Sequence, residues 1–438
     1  MKYEPVIGME VHVELNTKSK MFCRCSADYF GKEPNTHTCP ICLGLPGALP
    51  VPNKKALEYC MMIGLALGCK INEKSLFERK NYFYPDLPKG YQISQYRWPL
   101  CVNGWMEVEG KEGKRRISIN RAHQEEDTGK LSHARGETLI DFNRSGVPLV
   151  EIVTEPDFRG VEEVRDYAKK LQQLFRYLGV SNADMERGDM RLEANVSVRP
   201  EGTTDLPNYR VELKNINSFR FMVAAVEYEI KRQIVELEAG KKLTQETRGW
   251  NEQKKETYLQ RSKGEAHDYR YFPEPDIPEL RIDNEQWTKI KEKLPELPWD
   301  KADRFQKEYG LTKQQVEILT QSLELALFYE EAVKDGKPHG VDALQIANHI
   351  INKKINIEKV LPAQVVAQIL QSRTDQITDE KELEKLSKEA IAENPQAVAD
   401  YKKGKETALQ ALIGAVMKKT LGKAEANKAR SVLKKLLE

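Results

Sequence analysis

The chain has 438 residues, 40% of them hydrophobic and 31% charged, with a formal net charge of only +2. That length suits two or three globular domains, and the balanced total charge says little about partners. No stretch approaches the roughly 18 apolar residues of a membrane span, and the opening MKYEPVIGMEVHVEL lacks the apolar core of a signal peptide, so a soluble, cytoplasmic protein is expected.

In chain order, Val6-Ile7 and Glu10 to Leu15 alternate as a strand. Such a strand carries Glu10, His12 and Glu14 on one face and Val11, Val13 and Leu15 on the other. A helical pattern follows over about 54–67 and stops near Gly68. Further strands are expected over 116–120, 149–153, 195–199 and 210–214. They are interrupted by helical patterns over about 161–178, with Gly179 as C-cap, and over 223–239, ending at Gly240. Strands and helices mixed without regular alternation indicate an α+β fold rather than a doubly wound sheet.

Leu294-Pro295-Glu296-Leu297-Pro298 reads as a linker, because two prolines in so short a run disfavour helix. Helical patterns then cover 301–309, 312–333, 341–353, 362–371 and 379–394, and a last pair, 407–421 and 424–437, follows a turn at 400–405. This divides the chain into a strand-rich domain (1–293), a helical domain (299–395) and a helical tail (396–438). From Lys402 onward the tail carries ten Lys/Arg against three Glu. That excess suits contact with nucleic acid, and equally a solvated helix face.

Carboxylates recur among apolar neighbours. His123-Gln124-Glu125-Glu126-Asp127 packs three acids after a histidine, Glu151 interrupts the run 147–153, and Glu193 and Glu212 sit in further strand patterns. One alternating strand is ordinary for a half-buried surface, but several, each presenting an acid, need reconciling, since a buried unpaired carboxylate costs several kcal/mol. Arg or Lys can serve, or a hard metal with oxygen ligands. Glu10, His12, Glu125, Glu126, Glu151, Glu193 and Glu212 would suit one or two Mg²⁺ ions, which commonly bridge carboxylates and nucleotide phosphates.

The seven cysteines are an odd number in a long chain, which argues against a disulfide framework. Cys23-Arg24-Cys25 and Cys39-Pro40-Ile41-Cys42 form two close pairs separated by thirteen residues, the kind of spacing that tetrahedral, structural Zn²⁺ uses; free thiols are the alternative. Cys60, Cys69 and Cys101 lack such spacing and read as core. The stretch from Arg79 to Gln92 interleaves basic and aromatic residues, as does 268–276, which suits phosphate contact and base stacking or a packed surface loop. No Gly-rich phosphate loop occurs. Nor does a Ser-Gly-Gly-Ser-like nucleophile stretch, so release of ammonia from an amide donor is not expected of this chain alone.

Long motifs then carry a resemblance. Val6 to Leu15, Arg79 to Asp86 (RKNYFYPD), Tyr91 to Gln95, His123 to Lys130 (HQEEDTGK), Asn143 to Ile152, Glu212 to Phe219 and Asp268 to Asp276 (DYRYFPEPD) together resemble the B subunits of aspartyl/glutamyl-tRNA amidotransferases of bacterial and organellar type. The resemblance implies a cradle-fold catalytic domain and a tRNA-holding helical tail. It also implies a heterotrimer with an amidase (glutaminase) A subunit and a small C subunit. Such an enzyme is a carbon–nitrogen ligase with glutamine as amido donor. It uses ATP and Mg²⁺ to phosphorylate the side-chain carboxylate of Glu on mischarged tRNA(Gln), or of Asp on mischarged tRNA(Asn), and amidates it with ammonia from the amidase partner.

Residue by residue, the resemblance makes His12, Glu125 and Glu151 ligands of one Mg²⁺. Glu10, Glu126, Glu193 and Glu212 become a second acidic set, for another cation or for ammonia passage. Lys80, Tyr82 and Lys214 become contacts to ATP or the aminoacyl end. The four cysteines match the zinc-bearing members. One departure is a helical region between about residues 357 and 379 that is shorter than in the family. Two rivals remain: the archaeal relative, whose large inserted domain has no room here, and a non-catalytic, zinc-containing tRNA-binding protein.

Overall fold

The computed structural model describes residues 2–134, 136–262, 268–374, 380–402, 405, 407–420, 424 and 426–437. The chain forms two units, Met1–Asp300 and Lys301–Glu438. The first begins with β1 (Tyr3–Glu14), then, past the cysteine-bearing loop, α1 (Lys54–Ala66) and four short strands: β2 (Lys70–Ile71), β3 (Lys74–Ser75), β4 (Glu78–Asn81) and β5 (Tyr91–Ser94). The long hairpin of β6 (Cys101–Gly110) and β7 (Gly113–Glu126) leads to β8 (Lys130–Ala134), β9 (Glu137–Asp141), β10 (Pro148–Thr154) and α2 (Val161–Tyr177). Next come β11 (Met190–Pro200), β12 (Val211–Ile216), α3 (Phe219–Glu238), β13 (Glu246–Asn251) and β14 (Glu256–Ser262). Short β15 (Phe272–Pro273), β16 (Leu280–Arg281) and α4 (Asn284–Glu292) complete the unit.

Nine of these strands form one sheet in the order β14-β13-β12-β11-β1-β10-β7-β6-β2, while β15, β4 and β5 make a second, small one. The fold is α+β, as expected. β1 lies in the middle of the large sheet, antiparallel to β10 on one side and β11 on the other. Its alternation sorts two faces. Val11 and Val13, with Val150 and Ile152 of β10 and Leu192 and Ala194 of β11, are buried beneath α1, α2 and α3. Glu10 and His12 occupy the other face, which carries the site.

The helix boundaries follow local chemistry. Asn53 caps α1 by accepting from the backbone N–H of Lys55 and Ala56. Gly68 and Gly179, at φ +66° each, end α1 and α2 in the left-handed conformation that glycine adopts freely. Tight packing fixes another glycine: a Cβ on Gly64 would lie 2.4 Å from Cys101 Sγ.

From Pro298 onward the described elements are helical: α5 (Pro298–Tyr309), α6 (Lys313–Leu319), α7 (Leu323–Gly336), α8 (Ala343–Asn352) and α9 (Pro362–Thr374), then α10 (Glu380–Glu393), α11 (Pro395–Lys402), α12 (Thr407–Lys419) and α13 (Ala426–Leu437). Pro298 begins a helix rather than ending a linker, since a proline at the first helical position loses no bond. The helical pattern over 312–333 is two helices, because the Ser322 hydroxyl caps a new one by accepting from Leu325 N. Residues 403–404 of the expected 400–405 turn, and 375–379 at the end of the shortened stretch, lie outside the described residues. None of the described helices is long and apolar enough to cross a membrane.

Candidate active site

The strand registers set the site. His12 faces Glu151 across the β1–β10 ladder, and Glu151 faces His123 across the β10–β7 ladder. Glu125, two residues along β7 from His123, shares its face. One ligand atom each of His12, Glu125 and Glu151 therefore falls within 4.8 Å of the others. His123 links the carboxylates, with Nε2 3.5 Å from Glu125 Oε1 and 3.4 Å from Glu151 Oε2. Ser94 Oγ donates to Glu125 Oε1 at 2.5 Å and Gln92 Nε2 to Glu125 Oε2 at 3.1 Å.

Both carboxylates are held ionised despite burial. Burial raises Glu125 most, but the Lys80 ammonium together with His123, through its hydrogen bond and its charge, brings it below the ordinary carboxylate range. Glu151 is likewise raised by burial and then brought well below the usual range by His123 and by the His12 hydrogen bond. Burial would lower His123, yet Glu151 and Glu125 push it up to about 9. Burial would lower His12 too, but Glu151, through its hydrogen bond and its charge, and Glu193 together raise it. The Nδ1 atoms of His12 and His123 are buried without a hydrogen-bond partner. A convergent His/Glu/Glu set, with both carboxylates ionised and an unsatisfied ring nitrogen, offers the donor atoms a divalent cation uses.

A second acid set lies beside the first. Glu10 is opposite Glu193 in the β1–β11 register, and one oxygen each of Glu10, Glu193 and Glu212 comes within 4.8 Å of the others. This set has a cation of its own: Lys214 Nζ lies 3.0 Å from Glu193 Oε2 and 3.1 Å from Glu212 Oε1. Asn195 donates to Glu10 Oε1 at 2.9 Å, and Thr247 to Glu212 Oε2 at 3.1 Å. Burial first, then Glu151 and Glu193, raise Glu10 above the ordinary carboxylate range.

Glu126 belongs to neither set. The strand period sends it to the opposite face of β7 from Glu125. There it pairs with Lys89 and accepts from Ile93 N at 2.9 Å. The same period, applied to His-Gln-Glu-Glu, would have separated the two glutamates and placed His123 in the site. Gln92 and Ser94 left no such signal, since β5 and β7 meet only in the fold.

The two aromatic-basic stretches form one wall. Arg79 of β4 faces Phe272 of β15, and its guanidinium grips Glu274 through Nε at 2.7 Å and Nη2 at 2.8 Å. Lys80 Nζ lies 5.2 Å from the Tyr269 ring centroid and 5.9 Å from that of Tyr82. Burial would lower Lys80, but Glu125 and Glu151 raise it well above its usual range, so it faces the acids as a cation. Tyr82 donates to Gln92 Oε1 at 3.4 Å, next to that ammonium.

The cysteines gather in the loop after β1. The Sγ atoms of Cys23, Cys25, Cys39 and Cys42 lie within 4.8 Å of one another, and those of Cys39 and Cys42 are 3.8 Å apart. Tetrahedral thiolates about 2.3 Å from zinc would stand about 3.8 Å from each other. Cys42 is pulled down to about 5 by its hydrogen bond with Cys23, which outweighs burial, and by the Lys20 ammonium. None of the seven cysteines is paired in a disulfide.

Residues 5–288 match the family described as the GatB/GatE catalytic domain, and residues 329–437 match the GatB domain. The chain belongs to the GatB family. Its relatives include the B subunit of the aspartyl/glutamyl-tRNA(Asn/Gln) amidotransferase of Caldicellulosiruptor saccharolyticus, 46% identical, and that of Thermotoga maritima, 45% identical, each over 100% of both chains. The corresponding protein of Dehalococcoides mccartyi is 45% identical over 100% of this GatB chain and 99% of its own. These alignments run over 480 to 489 positions, so these GatB relatives carry segments that the 438 residues here lack. Both acid sets and the cysteine cluster lie within the part that matches the catalytic domain.

Proposed function

We propose that this chain is the activating and amidating subunit of a tRNA-dependent amidotransferase. In this reading it uses ATP to phosphorylate the side-chain carboxylate of Glu on mischarged tRNA(Gln), or of Asp on mischarged tRNA(Asn). It then replaces the phosphate with ammonia that an amidase subunit releases from glutamine; that subunit and a small third one complete the enzyme. The observation that carries the reading is the placement of two differently neutralised acid sets side by side on one sheet face. One is the His12/Glu125/Glu151 set beside His123 and Lys80, and the other is the Glu10/Glu193/Glu212 set around Lys214.

A carboxylate does not acylate ammonia until it is activated. His12, Glu125 and Glu151 would hold Mg²⁺, which supplies charge neutralisation at the transferring phosphoryl group. His123, Ser94 and Gln92 keep Glu125 and Glu151 oriented and ionised. Lys80, held cationic between the acids and the tyrosine wall, is placed to meet the phosphates or the activated carboxylate. The second set serves the nucleophile. Glu10 has an affinity for protons above that of an ordinary carboxylate, and can accept one from ammonium so that NH₃ attacks. Lys214 already occupies the space between Glu193 and Glu212, which makes ammonia passage a better use of this set than a second cation. The four cysteines would hold Zn²⁺ in a structural role, since four thiolates leave no open position. The basic tail would contact tRNA.

Reconstitution with both partner subunits, glutamine, ATP and each mischarged tRNA tests the proposal. ATP-dependent amidation of at least one is expected, and amidation of neither would sink it. A zinc-containing tRNA-binding protein without catalysis would tolerate Glu125→Gln, so loss of turnover in that variant with tRNA binding intact separates the two readings.

A further inference from the structure

Lys20 is buried to 0% exposure. Its ammonium donates to the carbonyl oxygen of His37 at 2.7 Å and of Phe142 at 3.3 Å, and lies 3.7 Å from Cys42 Sγ. None of these is a carboxylate, and among the described residues no Asp or Glu oxygen forms an ion pair with it. Carbonyls can orient an ammonium but cannot cancel its charge, and a cation withdrawn from water needs a counter-ion. Of its three bonded partners, the sulfur of Cys42 alone can carry negative charge. Four thiolates on a divalent ion, in turn, leave two surplus negative charges, which buried sulfurs relieve through nearby donors. The two requirements meet at this contact.

We propose that Lys20 is the built-in counter-ion of the four-cysteine metal centre and the residue that fastens it to the sheet. The proposal rests on reading Cys23, Cys25, Cys39 and Cys42 as a metal centre. His37 lies between the two cysteine pairs, and its backbone N–H donates to Asn143 Oδ1 at 2.7 Å, next to Phe142. Lys20 thus ties the metal loop to the 142–146 turn from within. That turn closes on the centre: a Cβ on Gly146 would lie 3.5 Å from Cys42 Cβ, 3.6 Å from Lys20 Cδ and 3.8 Å from Glu126 Oε2. The metal loop, Lys20 and the far side of the catalytic strand β7 are therefore in one packed contact.

The test uses the full-length chain loaded with Zn²⁺, its metal content measured by elemental analysis and its release followed with a chromogenic chelator. Lys20→Met, which keeps length and removes charge, is expected to release zinc at least about tenfold faster. With Co²⁺ in place of Zn²⁺, its sulfur-to-metal charge-transfer band should shift, which a purely packing role would not cause. A second comparison holds even if Lys20→Met alone does not fold. Cys42→Ser deprives the buried ammonium of its anion, so the metal-free double variant K20M/C42S should melt higher than C42S. Unchanged release and an unchanged band in K20M, or a double variant that melts no higher than C42S, overturns the role of Lys20. A wild-type chain that binds no zinc through its thiols overturns it by a distinguishable route, through the metal centre itself.

Discussion

His12 and Glu151 stand directly opposite each other on neighbouring strands, with Nε2 3.7 Å from Oε2. Neither residue can move without disturbing the middle of the sheet, so the pair is preorganised. Glu151→Gln keeps the shape and removes the charge. Amidation of mischarged tRNA by the assembled enzyme should fall by about 10²-fold or more in kcat/KM, while unfolding free energy changes by no more than about 3 kcal/mol. Steady-state kinetics beside denaturant unfolding checks both.

Lys214 pairs with Glu193 and Glu212 of the second acid set, and removing it should expose a demand for a cation. Lys214→Met leaves Glu10, Glu193 and Glu212 without their ammonium. Melting of this variant should rise with added Mg²⁺ or Ca²⁺ by more than that of the wild type, because a ligand bound only by the folded state stabilises it. Equal responses of the two proteins would mean that Lys214 is not their counter-charge.

Arg79 and Glu274 join motifs that lie 195 residues apart. Glu274 has no exposed side-chain surface, so Arg79→Ala strands a buried carboxylate. A loss of about 3–5 kcal/mol is expected, read by urea unfolding. The tyrosine wall should loosen with it, seen as faster hydrogen exchange over 78–81 and 272–274.

Gly64 offers a packing test. Gly64→Ala would press its Cβ against Cys101 Sγ at 2.4 Å and Cys101 Cβ at 2.7 Å, and should cost about 1–3 kcal/mol. Cys101→Ala, added to it, should recover part of that loss. Additive destabilisation in the double variant would place the clash elsewhere.

Chelation of the metal proposed at the four cysteines should act locally. Hydrogen exchange should quicken over 20–51, which has little regular structure of its own, while the central strands β1, β10 and β11 keep their protection. Mass-spectrometric exchange before and after chelation distinguishes this from a global loss of fold.

Much of this is legible without the structure. The alternation around His12 gives both faces of β1, and Gly68 and Gly179 mark two helix ends. The start of α3 is not legible, because Phe219-Arg220-Phe221-Met222 reads as well for strand as for helix, and its first turn is fixed by tertiary packing, with Met222 buried and Phe219 and Phe221 against the core. The strand ending in HQEE is apparent only over 116–120, whereas β7 runs from Gly113 to Glu126. With its acids left outside a strand, the period that divides Glu125 from Glu126 goes unused. What no local pattern holds is register: that Glu151 meets both His12 and His123 depends on which strands become neighbours. Ser94 and Lys20 escape a sequence reading for the same reason, since their partners arrive from distant parts of the chain.

The central position of β1 has a further consequence. It is synthesised well before both its neighbours; its Met9 N–H bonds Thr154 Oγ1, 145 residues away. Such pairings have high contact order and form slowly. During translation the β1 segment must wait with both edges unpaired until β10 and β11 have left the ribosome. Glu10 and His12 reach the other acids only when that segment is inserted. Assembly of both acid sets is then a late event in folding, and β1 is the stretch of the nascent chain most in need of protection from aggregation.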